Sequence, residues 1–140
     1  MITKENVANF CEFDSFEVKG DKTADENFVF TTPIVFAIFS RPDTTFKVFE
    51  RIRKAKPPKL FIYADGARDN KPGEAERCQQ CREVKNMVDW DCKVYTNFAK
   101  VNLGCRRRMA SGITWAFEHV DEAIILEDDC LPDMSFFRFC

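Results

Sequence analysis

The chain has 140 residues, 45% of them hydrophobic and fifteen of them Phe, with a formal net charge of -2. That length allows one domain with a real core, and the near-balanced charge gives no general attraction to nucleic acid or to an anionic membrane surface. No apolar run approaches the ~20 residues of a membrane span, and residues 1–20 lack the basic start and apolar centre of a signal peptide, so a cytoplasmic protein without a membrane span is the default expectation.

Residues 1–32 show no clean hydrophobic period and are expected to be an N-terminal extension; the domain proper is expected over 33–140. A continuous apolar run over 34–39 predicts a strand buried on both faces. Arg41, Pro42 and Asp43 break it. Thr44 or Thr45 can cap a helix whose apolar face is Thr45, Val48, Phe49 and Ile52, and Pro57 and Pro58 stop that helix. Residues 60–64 read as a second strand ending in Asp65 and Gly66. A polar loop over 69–73 precedes a helix over 74–88 with a mixed face. A short third strand is expected over 92–96, followed by a loop to Gly104. Met109, Ile113, Ala116 and Val120 predict a helix over 106–119, and 123–126 read as the fourth strand. Strands alternating with helices specify an α/β fold with a mainly parallel sheet.

Parallel strands share one C-terminal edge, so Ser40 and Arg41, Asp65, the 97–104 loop and Glu127, Asp128 and Asp129 are expected on one rim. The last three are adjacent carboxylates straight after the apolar Ile124, Ile125 and Leu126. A divalent cation relieves their repulsion, and hard cations such as Mg²⁺ or Mn²⁺ take oxygen ligands. Strand ends in open α/β sheets are where ligands bind. Asp65 either accepts hydrogen bonds from a nucleotide or makes a simple Asp-Gly turn. Arg106, Arg107 and Arg108 start a helix, where cations oppose the macrodipole. At least one of them is expected to meet a phosphate or the carboxylates. The aromatics Phe136 and Phe137 are expected in the core.

The seven cysteines are read as reduced thiols. Cys78 and Cys81 form a lone C-x-x-C with no second pair to complete a zinc site, so they are read as helix packing. His119 is the single histidine, which removes poly-His metal sites and weakens any Ser-His or Cys-His arrangement.

The run from Ile124 through Glu127, Asp128 and Asp129 to Pro132, Phe136 and Phe137 resembles the acidic motif of GT-A glycosyltransferases, most like the N-acetylglucosaminyltransferase I type and family 2-like enzymes. Pro33 to Pro42 is similar to their first strand, Phe61 to Gly66 to their second, and Asn102, Leu103 and Gly104 to the Asn-x-Gly region before the motif. The likeness covers about residues 32–140. It implies a Rossmann-like GT-A fold and a nucleotide-diphospho-sugar donor, commonly a UDP-sugar, with Mn²⁺ or Mg²⁺. By the same resemblance Asp129 coordinates the metal and Asp128 and Glu127 contact ribose or sugar hydroxyls. Ser40, Arg41 and Asp65 hold the nucleoside, and Arg106 is counted with the donor site. The family's acceptor site and catalytic base follow the acidic motif. The chain is therefore expected to be the donor-binding half, with its acceptor unidentified, its aromatic C-terminus poorly covered and self-association possible. The competing readings are a metal-dependent phosphotransferase or phosphohydrolase, which usually carries a nucleophilic Asp on its first strand, and a non-catalytic nucleotide-binding module.

Overall fold

The computed structural model describes residues 29–140; the rest of the expected extension, residues 1–28, lies outside them. Among the described residues nine elements follow one another. Strand β1 (Ile34–Ile38) leads to helix α1 (Pro42–Ala55) and strand β2 (Lys59–Ala64). Helix α2 (Glu74–Arg82) tightens into a 3-10 segment (Glu83–Met87) before strand β3 (Lys93–Phe98). Helix α3 (Cys105–Phe117), strand β4 (Ile124–Glu127) and helix α4 (Met134–Phe139) complete the order. The expected α/β class and parallel sheet are present. The single helix expected over 74–88 divides in two, an α-helix to Arg82 and a 3-10 segment over Glu83–Met87 that still buries Val84. The third strand begins and ends later than expected, and β4 extends through Glu127.

The sheet order is β3-β2-β1-β4, with every pairing parallel. Ile34 opposes both Leu60 and Ile124, and Ala37 opposes both Tyr63 and Glu127. Side chains alternate across a strand, and here both faces are apolar. On one face Ile34, Phe36, Leu60, Ile62 and Leu126 meet Val48, Phe49 and Ile52 of α1, together with Cys81, Val84 and Phe137. On the other, Val35, Phe61 and Tyr63 meet Ala116, with Met109, Trp115 and Val120 packed around them. The continuous apolar runs of β1 and β2 follow from this double burial.

Thr45, Val48, Phe49 and Ile52 are the buried face of α1, as their spacing predicts. Helix α3 differs. Its buried residues are Arg108, Gly112 and Ala116, so an arginine and a glycine stand where aliphatic periodicity placed Met109 and Ile113. Gly112 is there for proximity: a Cβ at this position would lie 2.5 Å from the Tyr63 ring. Phe137 is buried and meets Phe30 edge-on at 5.5 Å, so the core takes in a residue from before position 33. Phe139 is almost fully exposed. Among the described residues no helix is long and apolar enough to cross a membrane.

Candidate functional site

From β1 the chain steps outward to β2 and β3, then returns to place β4 on the other flank of β1. The reversal puts the topological switch point at the C-terminal ends of β1 and β4, where open α/β sheets in general form a crevice and take ligands. The two strand ends carry opposite charges. Arg41 follows β1 and sits at the N-cap of α1, ahead of Pro42. Asp128 and Asp129 follow β4. The Arg41 guanidinium forks across both carboxylates, donating through one nitrogen to Asp128 at 2.6 Å and through the other to Asp129 at 2.8 Å.

The two aspartates are not equivalent. Asp128 is buried, and its second oxygen accepts the Phe39 amide at 3.1 Å and lies 3.5 Å from the Thr45 hydroxyl. It ties the end of β1 to α1 and has both oxygens bonded within the protein. Asp129 is exposed, and its oxygen not bonded to Arg41 meets the Cys130 thiol at 3.8 Å. Glu127 is exposed too; it opposes Ala37 in the ladder and shares a face with Ile125. Ser40 is half-buried beside Arg41. The Arg68 guanidinium lies 5.7 Å above the Phe39 ring, which brings the loop after β2 to the edge of this crevice.

The ends of β2 and β3 are arranged differently. Asp65 is buried, and its two oxygens accept the amides of Gly66 at 2.9 Å, Leu103 at 2.8 Å and Gly104 at 2.9 Å. Asn102 adds a bond to the Gly66 carbonyl at 2.7 Å. Asp65 thus clasps the 97–104 loop in the role of a turn residue. Arg108 reaches the Ala64 carbonyl at 3.0 Å and both oxygens of Asn97. Burial lowers the pKa of its guanidinium, against the pull of Asp65. Arg82 donates to the carbonyls of Asp65 at 2.9 Å and Ala99 at 3.0 Å, with its Nε buried and unpartnered. Two arginines therefore cover the strand-end carbonyls of β2 and β3, whereas at the ends of β1 and β4 one half-exposed arginine spans two carboxylates.

Beyond Asp65 the loop is fastened a second time. Glu74 is buried at the start of α2, accepts the Arg68 amide at 2.8 Å and is gripped by the Arg68 guanidinium. Those bonds hold its carboxyl down at about 2. Within α2, Cys78 and Cys81 are buried as helix packing predicts, and burial pushes the Cys81 thiol up to about 11.

The rim thus gathers Ser40, Arg41, Glu127, Asp128 and Asp129 at one crevice, with Asp65 on the closed side. Arg106 and Arg107 are exposed, and Arg108 binds carbonyls. The arginine that meets the acidic cluster is Arg41, not one of the three at the start of α3. The signal available in the sequence was the Arg-Pro pair after the first strand, facing acids after the fourth. The part played by the Thr45 hydroxyl and the Phe39 amide had no such signal.

The fit of a divalent cation can be judged from the donor set. Among the described residues no group of three or more His, Cys, Asp or Glu side chains is placed to hold a metal ion, and both oxygens of the buried Asp128 are already bonded within the protein. What the crevice offers is one accessible aspartate oxygen, with Glu127 nearby in sequence. Such a donor set makes no all-protein metal cage; a hard cation there would need most of its oxygens from elsewhere. Comparison with known protein families, curated proteins and solved structures returns no match.

Proposed function

We propose that this chain binds the donor of a metal-dependent glycosyltransferase of the GT-A kind, a nucleotide-diphospho-sugar and most simply a UDP-sugar, in the crevice between β1 and β4. One observation carries the reading. A strand-end aspartate stands accessible at the topological switch point of a parallel sheet, while the acid and carbonyls at the neighbouring strand ends are closed off by backbone amides and arginines. The order of motifs along the chain and their resemblance to that family supply the chemistry.

On this reading Asp129, with Mn²⁺ or Mg²⁺, holds the diphosphate. The cation would act as a Lewis acid that stabilises the departing nucleoside diphosphate. Glu127 is free to accept sugar or ribose hydroxyls. Asp128 sets the position of Arg41 and of the β1 end rather than touching the donor. Ser40 and Arg41 line the nucleoside side, and Asp65 shapes the loop that borders it. Arg106 is exposed in the first turn of α3 and stays counted with the donor site.

The test is thermal unfolding with UDP and UDP-sugars, with and without Mn²⁺. Ligands that bind the native state alone raise its melting temperature by mass action. UDP with Mn²⁺ is expected to raise it, and Asp129→Ala to abolish the rise. A variant that responds like the parent removes Asp129 from the metal and the nucleotide from the crevice.

A further inference from the structure

Past the end of β4 lies a groove of about 290 Å³ lined by Leu126, Cys130, Leu131, Pro132 and Phe136. Leu131 is 53% exposed and Phe136 36%. The chain enters the fold beside this groove. Phe30 is buried and meets Phe137 edge-on at 5.5 Å, and Phe137 meets Phe136 at 5.5 Å. Phe30 therefore stands one ring away from the groove wall. Phe30, Leu126 and Phe137 belong to one cluster on one face of the sheet. The Pro33 carbonyl accepts the Ile124 amide at 2.9 Å, which holds the entering chain along β4. Residues 1–28 precede this point and lie outside the described residues. Their sequence holds Phe10, Phe13, Phe16 and Val18 within nine residues, and seven acids against three lysines. The whole chain has 23 acidic and 21 basic residues, so the remainder carries a basic surplus that attracts such a segment. The stretch from Phe16 to Val29 reaches up to about 40 Å when extended, ample for a groove next to Phe30.

We propose that this groove is the docking site of the chain's own N-terminal segment, which seats apolar side chains from positions 10–18 against Leu131 and Phe136. A tethered segment meets its groove at a high effective concentration, so a few buried apolar side chains are enough to hold it. Docking removes from water the apolar surface that the groove leaves exposed. It also brings the segment to the rim, because the Cys130 thiol in the groove meets Asp129 at 3.8 Å. The segment thus walls the strand-end site on the β4 side. The inference stands on the groove and the point of chain entry, and holds whatever ligand the rim takes.

The sequence supplies its own reporters: Cys11 lies within the segment and the exposed Cys130 within the groove. Cys105 serves as the control, being exposed at the start of α3, which packs on the other face of the sheet. The reduced full chain is treated with a short bismaleimide, and the links are mapped by peptide mass in the monomer and dimer fractions. In the monomer, Cys11 is expected to join Cys130 at least about three-fold more often than Cys105. A variant carrying Phe10→Ser, Phe13→Ser and Phe16→Ser together is expected to lose that preference. Its Cys130 should also react with a simple maleimide about three-fold faster than in the parent, since the cover is gone. Melting curves show whether each variant folds. If the triple variant does not, Leu131→Ser replaces it and is expected to erase the same preference from the groove side. Equal linking of Cys130 and Cys105 in the parent, or a preference that survives the substitutions in a folded variant, overturns the proposal. A link between Cys11 and Cys130 found only in the dimer gives the groove to the segment of a second copy and overturns docking within one chain.

Discussion

Asp65 and Asp129 occupy the same kind of position, just past the end of a parallel strand, and the structure treats them in opposite ways. Asp65 is buried with three backbone amides on its oxygens. Asp129 is exposed and holds one exposed arginine. The corner around Asp65 is closed by Arg82, Arg108, Asn102 and the Arg68–Glu74 pair. The corner around Asp129 has a single fork, from Arg41. A strand-end carboxylate is thus a candidate for ligand contact only while the loops around it leave it a free lone pair. Where backbone donors converge on it, the acid becomes part of the scaffold.

The comparison breaks most easily at Asp65. Asp65→Ala strips the acceptor from three amides at once. Each buried donor left unmatched costs about 1–3 kcal/mol, offset where water enters, so a loss of about 3 kcal/mol in urea unfolding is expected. A loss below about 1 kcal/mol would return Asp65 to the pool of ligand contacts. Gly112→Ala tests the same corner from the helix side. The added methyl meets the ring of Tyr63, and overpacking of this kind costs about 1–3 kcal/mol; a stable variant would show that α3 is free to slide on the sheet. The phenol itself is pushed up to about 12, first by burial, so it stays protonated at neutral pH.

A gentler probe is acid. Because the Arg68 bonds lower the Glu74 carboxyl from 4.5 to about 2, Glu74 contributes stability that is complete above the ordinary glutamate range. That contribution fades as pH falls from about 4.5 through about 2. Glu74→Gln should therefore be less stable than the parent at neutral pH and should lose less between those pH values. Parallel curves for the two proteins would show that the pair is ornamental. The smallest effect is expected at the other corner. Asp129→Asn should change stability by less than about 0.5 kcal/mol, since exposed pairs contribute little. A larger loss would mean that the β1–β4 corner is scaffold as well, and the contrast between the corners would be gone.

Part of the fold can be read from short stretches of chain. The apolar run from Ile34 to Ile38, the spacing of Thr45, Val48, Phe49 and Ile52, and the prolines after α1 each act through near neighbours, so their consequences survive without knowledge of the rest. Helix α3 was harder. Arg108 and Gly112 belong to its buried face because Ala64 and Asn97 present carbonyls to one and Tyr63 presents a ring to the other. Hydropathy counts an arginine and a glycine as surface, and nothing local contradicts it. Of the two partners expected for the arginines at 106–108, a phosphate or the acids, the acids are taken by Arg41 instead, because charge alone does not say which cation the sheet brings alongside.

By itself, the sequence determined the alternation of strands and helices, the parallel sheet and the placing of its acids at strand ends, because periodicity and chain breakers are local properties. The tertiary structure alone decided that β4 lies beside β1 and not beyond β3. That one adjacency brings Arg41 onto Asp128 and Asp129, from 87 and 88 residues away. It also opens the crevice at their strand ends and leaves Asp65 to the loop amides. Long-range partners and burial set whether a carboxylate is buried and satisfied or exposed and available, and neither is a property of the residue or its neighbours in the chain.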